Sequence, residues 1–191
     1  MTAVDAALSQ TALVLVDIQN DYFPGGAMEL VGAEAALGRA ALVLARFRRA
    51  GAAVVHVRHE SVRPGSTFFL PGTPGAAIHP ALTPLPGEAM VTKAFPNSFR
   101  ETDLLALLHG AGASQLVVCG MMTHMCLDAT VRAAFDLGFG VTVAGDACAT
   151  RDLVFEGRTV AAADVQAAFL AALAAVYARV VAAAAVADGP A

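Results

Sequence analysis

A chain of 191 residues is long enough to bury one sizeable core and too short for two ordinary domains, so residues 1–191 read as a single domain with one cleft. Hydrophobic residues make up 57% against 15% charged, which excludes disorder; a formal net charge of −4 with scattered Lys and Arg lacks the basic footprint of a nucleic-acid binder and slightly favours neutral or cationic small ligands. The longest apolar helical stretch, AAFLAALAAVYA at 167–178, falls short of the ~20 residues a bilayer needs, so a buried helix is expected and no membrane partner.

In chain order, MTAVDAALSQ has no basic segment of the kind that opens a signal peptide, and a cytoplasmic location is expected. TALVLVD (11–17) is an apolar run with β-branched residues ending on a carboxylate, the pattern of a strand buried on both faces. AEAALGRAALVLARFRR (33–49) reads as a helix and AAVVHVR (52–58) as a second buried strand. Residues 58–88 hold six of the nine prolines, a long loop that suits a wall over a cleft or an intersubunit contact, although a merely stiff surface loop fits as well. A short apolar run precedes Lys93. SFRE (98–101) is a Ser-x-x-Glu capping box predicting a helix that Gly110 closes. QLVVC (115–119) reads as a strand, Gly120 as a tight turn, and Thr123 as the N-cap of a helix reaching Gly138. GVTVA (140–144) and YARVV (177–181) are further strands, and residues 182–191 form a flexible tail or an oligomer contact. Strand and helix alternate, which predicts an α/β fold: a doubly wound, mainly parallel sheet between two helical layers, with ligands bound outside the carboxyl ends of the strands.

That rule directs attention to Cys126 and Asp17. With Thr123 as N-cap, Cys126 occupies the third helical position, where unpaired N–H groups and the helix dipole favour a thiolate and lower its pKa. A small hydrophobe packed under the helix is the alternative. His124, two residues away, points elsewhere on a helix and is not expected to be its base. Asp17 ends the first buried strand at the site edge of the sheet, and Lys93 is its candidate ion-pair partner; a turn aspartate and a solvated lysine are the plain alternatives. Phe23 and Phe69 are candidate apolar walls, or core aromatics. Gln19 and Asn20 are candidate hydrogen-bond partners behind Asp17, or turn amides. Asp146 reads as a loop cap, and Cys119 and Cys148 carry no assigned chemistry. Three cysteines without short paired spacing suggest neither disulfides nor a zinc knuckle.

VDIQNDYFPGG, TKAFPNSF, GMMTHMCLDATVRAAFDLGF and DACAT, in that order and over nearly the whole chain, resemble the isochorismatase-like cysteine hydrolase superfamily. The resemblance implies a six-stranded parallel sheet, assembly as a homodimer or homotetramer, and Asp17, Lys93 and Cys126 as catalytic triad. It also implies a non-proline cis peptide between Met121 and Met122, aiming the N–H groups of Met122 and Cys126 at one oxyanion. The expected activity is hydrolysis of a C–N bond in a small-molecule amide through a Cys126 thioester. MMTHMCLDATVRAA and STFFLPGTPG most resemble the streptothricin-hydrolase-like members, which open a cyclic amide.

Nicotinamidases share the triad but add a metal site of an aspartate and several histidines between the first strand and the lysine. This chain has His56, His59 and His79 in that interval and no aspartate, and residues three apart near a strand tend to face opposite ways, so no metal and no cofactor are expected. Other readings are isochorismatase-type or nicotinamidase-type hydrolysis of another substrate, a non-enzymatic ligand-binding protein, and a thiol redox protein. No glycine fingerprint follows the first strand, and no C-x-x-C partners Cys126.

Overall fold

The computed structural model describes residues 8–187; most of the segment read against a signal peptide (residues 1–7) and the end of the tail (188–191) lie outside it. The main sheet is built from β1 (Thr11–Val16), β2 (Ala53–His59), β3 (Ala89–Lys93), β4 (Gln115–Met121), β5 (Gly140–Ala149) and β8 (Arg179–Val181), in the order β3-β2-β1-β4-β5-β8, with every pairing parallel. β6 (Leu153–Phe155) and β7 (Arg158–Val160) form a separate antiparallel hairpin.

β1 is central: it pairs with β2 on one side and β4 on the other, and its apolar run is buried throughout. From β1 the chain steps outward to β2 and β3, then returns to β4 and steps the other way. Right-handed crossovers therefore put α1 (Ala33–Ala50) on one face and α2 (Leu104–Gly110), α3 (Asp128–Asp136) and α4 (Ala162–Val176) on the other. A short α5 (Ala183–Ala187) packs back on α1 with Ala183 buried, so this part of the expected flexible tail is a docked helix. α1 buries Ala33, Ala36, Ala40, Val43, Leu44 and Phe47, the three-and-four spacing of a helix with one face on a sheet. The order reverses between β1 and β4, which makes the carboxyl ends of those two strands the expected ligand crevice.

Four local expectations need correction. Ser98 does not cap a helix: it is buried, its Oγ lies 2.7 Å from Thr130 Oγ1, and α2 begins only at Leu104. Thr123 is not an N-cap. It opens a π-helical turn, Thr123–Leu127, and its hydroxyl donates to the Ala149 carbonyl at 3.1 Å, which makes Cys126 the fourth residue of that turn. The alanine-rich helix, α4, is a surface helix that buries only Ala162, Val165 and Leu173, because one row of side chains meets the molecule whatever the composition of the rest. The β6–β7 hairpin was not anticipated, although Glu156 and Gly157, both at positive φ between LVF and RTV, form the two-residue turn that twisted hairpins prefer. Among the described residues, no helix is long and apolar enough to cross a membrane.

Candidate active site

Sheet order sets four side chains in a row. Lys93 closes β3, His59 closes β2 as its register partner, Asp17 follows β1, and Cys126 follows β4 in the π-turn. Adjacent strands lie about 4.8 Å apart, so residues distant in sequence meet across one sheet edge. The turn out of β4 depends on Gly120, which sits at φ 135°, where a Cβ would strike the Val16 carbonyl. Asp17 adopts φ 51°, a left-handed conformation that costs a non-glycine residue about 1 kcal/mol or more and turns its carboxylate across the strand end. The peptide bond between Met121 and Met122 is cis.

Lys93 Nζ donates to Asp17 Oδ2 at 2.7 Å and lies 3.1 Å from His59 Nδ1. Both members of the ion pair have fully buried side chains. Burial opposes the Lys93 charge, but the Asp17 carboxylate and Cys126 outweigh it and raise the lysine pKa, so the ammonium persists. Burial, then the Lys93 charge, lower the pKa of His59, which stays neutral and accepts from the ammonium through Nδ1. Asp17 Oδ1, by contrast, is buried without a hydrogen-bond partner.

The Cys126 Sγ, a carboxylate oxygen of Asp17 and a ring nitrogen of His59 all lie within 4.8 Å of one another. Burial first, then Asp17, push the thiol pKa well up, and Lys93 recovers only part of the shift. The lowered pKa expected from helix position is therefore corrected: in the free protein, burial and the neighbouring carboxylate outweigh the turn's dipole, and Cys126 rests as a thiol. Cys119 and Cys148 are also buried and free; burial pushes the Cys148 thiol up to about 12, and its Sγ is 3.2 Å from the Ala144 carbonyl.

Asp17, His59 and Cys126 have the donor types of a metal site. A cation fits poorly, because the Lys93 ammonium already bonds to two of the three and supplies the positive charge. The other histidines are committed elsewhere. His56 Nε2 is 2.8 Å from Glu88 Oε2, and His79 accepts from Ala81 N–H and stacks on Phe23 at 4.4 Å between ring centroids. Glu60 pairs with Arg58 at 3.1 Å.

A cavity of about 260 Å³ opens over Cys126. Phe69 lines it, whereas Phe23 stands outside against His79. Sequence reasoning missed Tyr22, which the 3₁₀ turn Asn20–Tyr22 swings inward to stack on Phe69 at 4.6 Å. It also missed Asp21, whose Oδ2 accepts from Phe69 N–H at 2.6 Å and pins the wall formed by residues 61–69; only glycine at position 75 leaves room for that carboxylate. The part of the 58–88 loop from Ser61 to Phe69 is thus a cavity wall. Gln19 is a clamp: Nε2 donates to the His59 and Ala76 carbonyls at 2.9 and 2.7 Å, while Oε1 accepts from His59 N–H at 2.7 Å. Asn20 donates to the Pro74 carbonyl at 2.8 Å. His124, 2.6 Å from Thr150 Oγ1, fastens the π-turn to the end of β5. Asp146 accepts from Ala183 N–H at 2.6 Å and pairs with Arg39, away from the cavity.

The Isochorismatase domain model matches residues 11–185. The fold matches the crystal structure of an isochorismatase hydrolase from Oleispira antarctica with a TM-score of 0.92 and 51% identity, covering 99% of this chain and 100% of that one. The isochorismatase family protein YddQ of Bacillus subtilis is 49% identical over 170 residues, 89% of this chain and 94% of the relative. A streptothricin hydrolase of Streptomyces noursei is 42% identical over 142 residues, 74% of this chain and half the length of that enzyme, 50%. The protein belongs to the isochorismatase family of hydrolases.

Proposed function

We propose that this protein is a cysteine-dependent hydrolase that opens the carbon–nitrogen bond of a small amide through a thioester on Cys126. The observation that carries the reading is the division of labour on Asp17. Oδ2 is held by the Lys93 ammonium, while Oδ1, buried and unpartnered, is free to take a proton beside a buried thiol.

Because the thiol rests protonated, attack and deprotonation go together. The Cys126 S–H proton passes to Asp17 as Sγ bonds to the amide carbonyl carbon. The N–H groups of Met122 and Cys126 hold the developing oxyanion; hydrogen bonds from Met125 and Leu127 on either side of Cys126 converge on the Met122 carbonyl and stiffen that turn. Collapse breaks the C–N bond, and Asp17 returns the proton to the leaving nitrogen. Water then attacks the thioester carbon, giving one proton to Asp17. Collapse of the second tetrahedral adduct expels sulfur, which takes that proton back. Throughout, Lys93 keeps Asp17 oriented and offsets the charge that passes between carboxylate and sulfur.

Incubating the protein with an amide substrate and intercepting the acyl-enzyme by mass spectrometry tests this. The expected adduct sits on Cys126, and Cys126→Ala forms none and does not turn over. Appreciable hydrolysis by Cys126→Ala would rule out the covalent route.

A further inference from the structure

His59 stands beside the triad, and the chemistry above gives it nothing to do. Besides Cys126, the polar side chains lining the cavity are Tyr22, His59, Ser61, Arg63, Ser66 and Arg151, and among these only His59 bonds to the Asp17–Lys93 pair. Gln19 grips the His59 backbone on both sides, accepting from its N–H at 2.7 Å and donating to its carbonyl at 2.9 Å. The next residue, Glu60, donates its N–H to the Lys93 carbonyl at 2.9 Å, which ties the strand end to β3. The imidazole itself packs against Phe69, with 6.1 Å between ring centroids. A side chain on a clamped strand end is held more closely than one on a free loop, as a group that must meet a reacting atom requires.

The hydrogen bond to Lys93 also fixes the tautomer. An ammonium has donors only, so Nδ1, 3.1 Å from Lys93 Nζ, offers its lone pair, and the proton of the neutral ring sits on Nε2. Burial, then the Lys93 charge, keep the ring neutral. His59 is therefore no base for Cys126. Among the described residues Nε2 has no hydrogen-bond partner, and the ring lines the cavity, so it offers one N–H donor there. Asp17 Oδ1 is the complementary case, a buried acceptor without a partner. A ring nitrogen of His59, a carboxylate oxygen of Asp17 and the Cys126 Sγ all lie within 4.8 Å of one another. Two hydrogen bonds of about 2.8 Å that meet at one oxygen span about 4.6 Å, so one small molecule that both donates and accepts bridges such a gap. Water is that molecule, and cleavage of a thioester on Cys126 consumes one.

We propose that His59 is a further catalytic residue, whose Nε2–H holds the oxygen of the hydrolytic water for attack on the Cys126 thioester. This rests on the hydrolytic reading and adds a group to its second half. One lone pair of the water accepts from Nε2–H, one O–H donates to Asp17 Oδ1, and the other lone pair faces the thioester carbon. As the new C–O bond forms, the carbonyl electron pair moves onto its oxygen and the water proton passes to Asp17. Collapse breaks the C–S bond, and sulfur takes that proton. His59 neither gives nor gains a proton. Acylation has no need of it, because Cys126 is a nucleophile already tethered in place, whereas water must be fixed by hydrogen bonds.

The test uses full-length protein acylated with p-nitrophenyl acetate, and peptide mass spectrometry follows formation and decay of acetyl-Cys126 as separate steps. His59→Asn keeps a side-chain acceptor where Nδ1 meets Lys93 but has nothing at the place of Nε2, while His59→Gln carries an N–H out to that place. In His59→Asn, acetyl-Cys126 is expected to form at the natural rate within about threefold and to decay about 10- to 100-fold more slowly. His59→Gln is expected to decay faster than His59→Asn. Unmoved decay in His59→Asn, or the reverse order of the two variants, shows that His59 acts only through Lys93 and overturns the inference, leaving the thioester reading intact. A folded His59→Asn that forms no acetyl-Cys126 overturns it as well. If the natural protein forms none, the thioester reading falls and this inference falls with it. Should His59→Asn fail to fold, long-range proton–nitrogen NMR of the natural protein decides: a His59 proton on Nε2 is expected, and a proton on Nδ1 leaves no donor for the water and overturns the inference.

Discussion

The ammonium of Lys93 sits 2.7 Å from one oxygen of Asp17, while the other oxygen of that carboxylate, equally buried, has no hydrogen-bond partner. The ion pair is completely shielded from water, so its two members depend on each other. Removing one partner of a buried pair costs about 3–5 kcal/mol, because the charge left behind is uncompensated. Lys93→Met is expected to destabilise the fold by that amount in urea unfolding and to lower kcat/KM by about 100-fold or more, because Asp17, the group that carries the proton, loses its orientation and its compensating charge. The Asp17→Asn/Lys93→Met double variant should recover stability but not activity; additive losses in stability would show that the pair is not coupled.

Cys126 should be slow to alkylate. Burial and Asp17 hold the thiol protonated, so the iodoacetamide rate in the free protein is expected to be low at neutral pH and to rise only above pH 9, the ordinary thiol value. Peptide mass spectrometry checks this with Cys119 and Cys148 as buried references. A titration midpoint below 8 would contradict a resting thiol.

Stability should fall on the alkaline side. Lys93 and the buried cysteines all have folded pKa values raised above their unfolded ones, so the folded state holds more protons than the unfolded chain once pH exceeds 9 for the thiols and 10.5 for the lysine. Their contribution is complete below pH 9 and declines as pH climbs toward the raised values. Urea unfolding is expected to give the same midpoint at pH 7 and 8 and a progressively lower one at pH 9.5 and 10.5.

On the acid side one cluster that responds is Arg48, Glu88 and His56. Arg48 Nε and Nη2 donate to Glu88 at 2.7 and 2.8 Å; with this bond as the leading cause, the Glu88 pKa falls from 4.5 to about 2. A depressed carboxylate stabilises above its unfolded pKa and loses that contribution as pH falls through 4.5 toward 2. His56, kept neutral by burial, adds a loss below 6.5. Glu88→Gln is therefore expected to destabilise the protein at pH 7 and far less at pH 3, read as the difference in urea midpoints between the two pH values.

Gln19→Leu removes the clamp between the end of β2 and the Pro74–Ala76 turn. It strands the His59 N–H and the His59 and Ala76 carbonyls, each worth about 1 kcal/mol or more when buried, for a total near 2–4 kcal/mol. Because His59 carries the Nδ1 that faces Lys93, kcat should fall along with Tm. An unchanged kcat in a folded variant would separate the clamp from the site.

Much of the fold was legible because its signals are local. The runs read at 11–17, 52–58 and 115–119 match the strands β1, β2 and β4, whose apolar residues are mostly buried, and Asp17 at the end of the first stands at the carboxyl edge of the sheet. The edge strand β3 was harder to read, since its alternating exposure leaves only a short apolar signal before Lys93. The capping box at Ser98 misled because the same hydroxyl found a buried partner, Thr130, thirty-two residues later. Local capping propensity is worth about 1 kcal/mol and gives way to such a contact.

From the sequence alone came the alternating α/β pattern, the family motifs and the choice of Asp17, Lys93 and Cys126 as candidates, because periodicity, motif and residue chemistry are properties of the chain itself. Only the tertiary structure decided that Cys126 rests as a thiol, that His59 joins the row while Phe23 leaves it, that Tyr22 turns inward, and that Arg63 and Arg151 face the same cavity. Ionisation and recognition depend on which groups burial brings within a few ångströms of one another, and that proximity is created by strand order across the sheet.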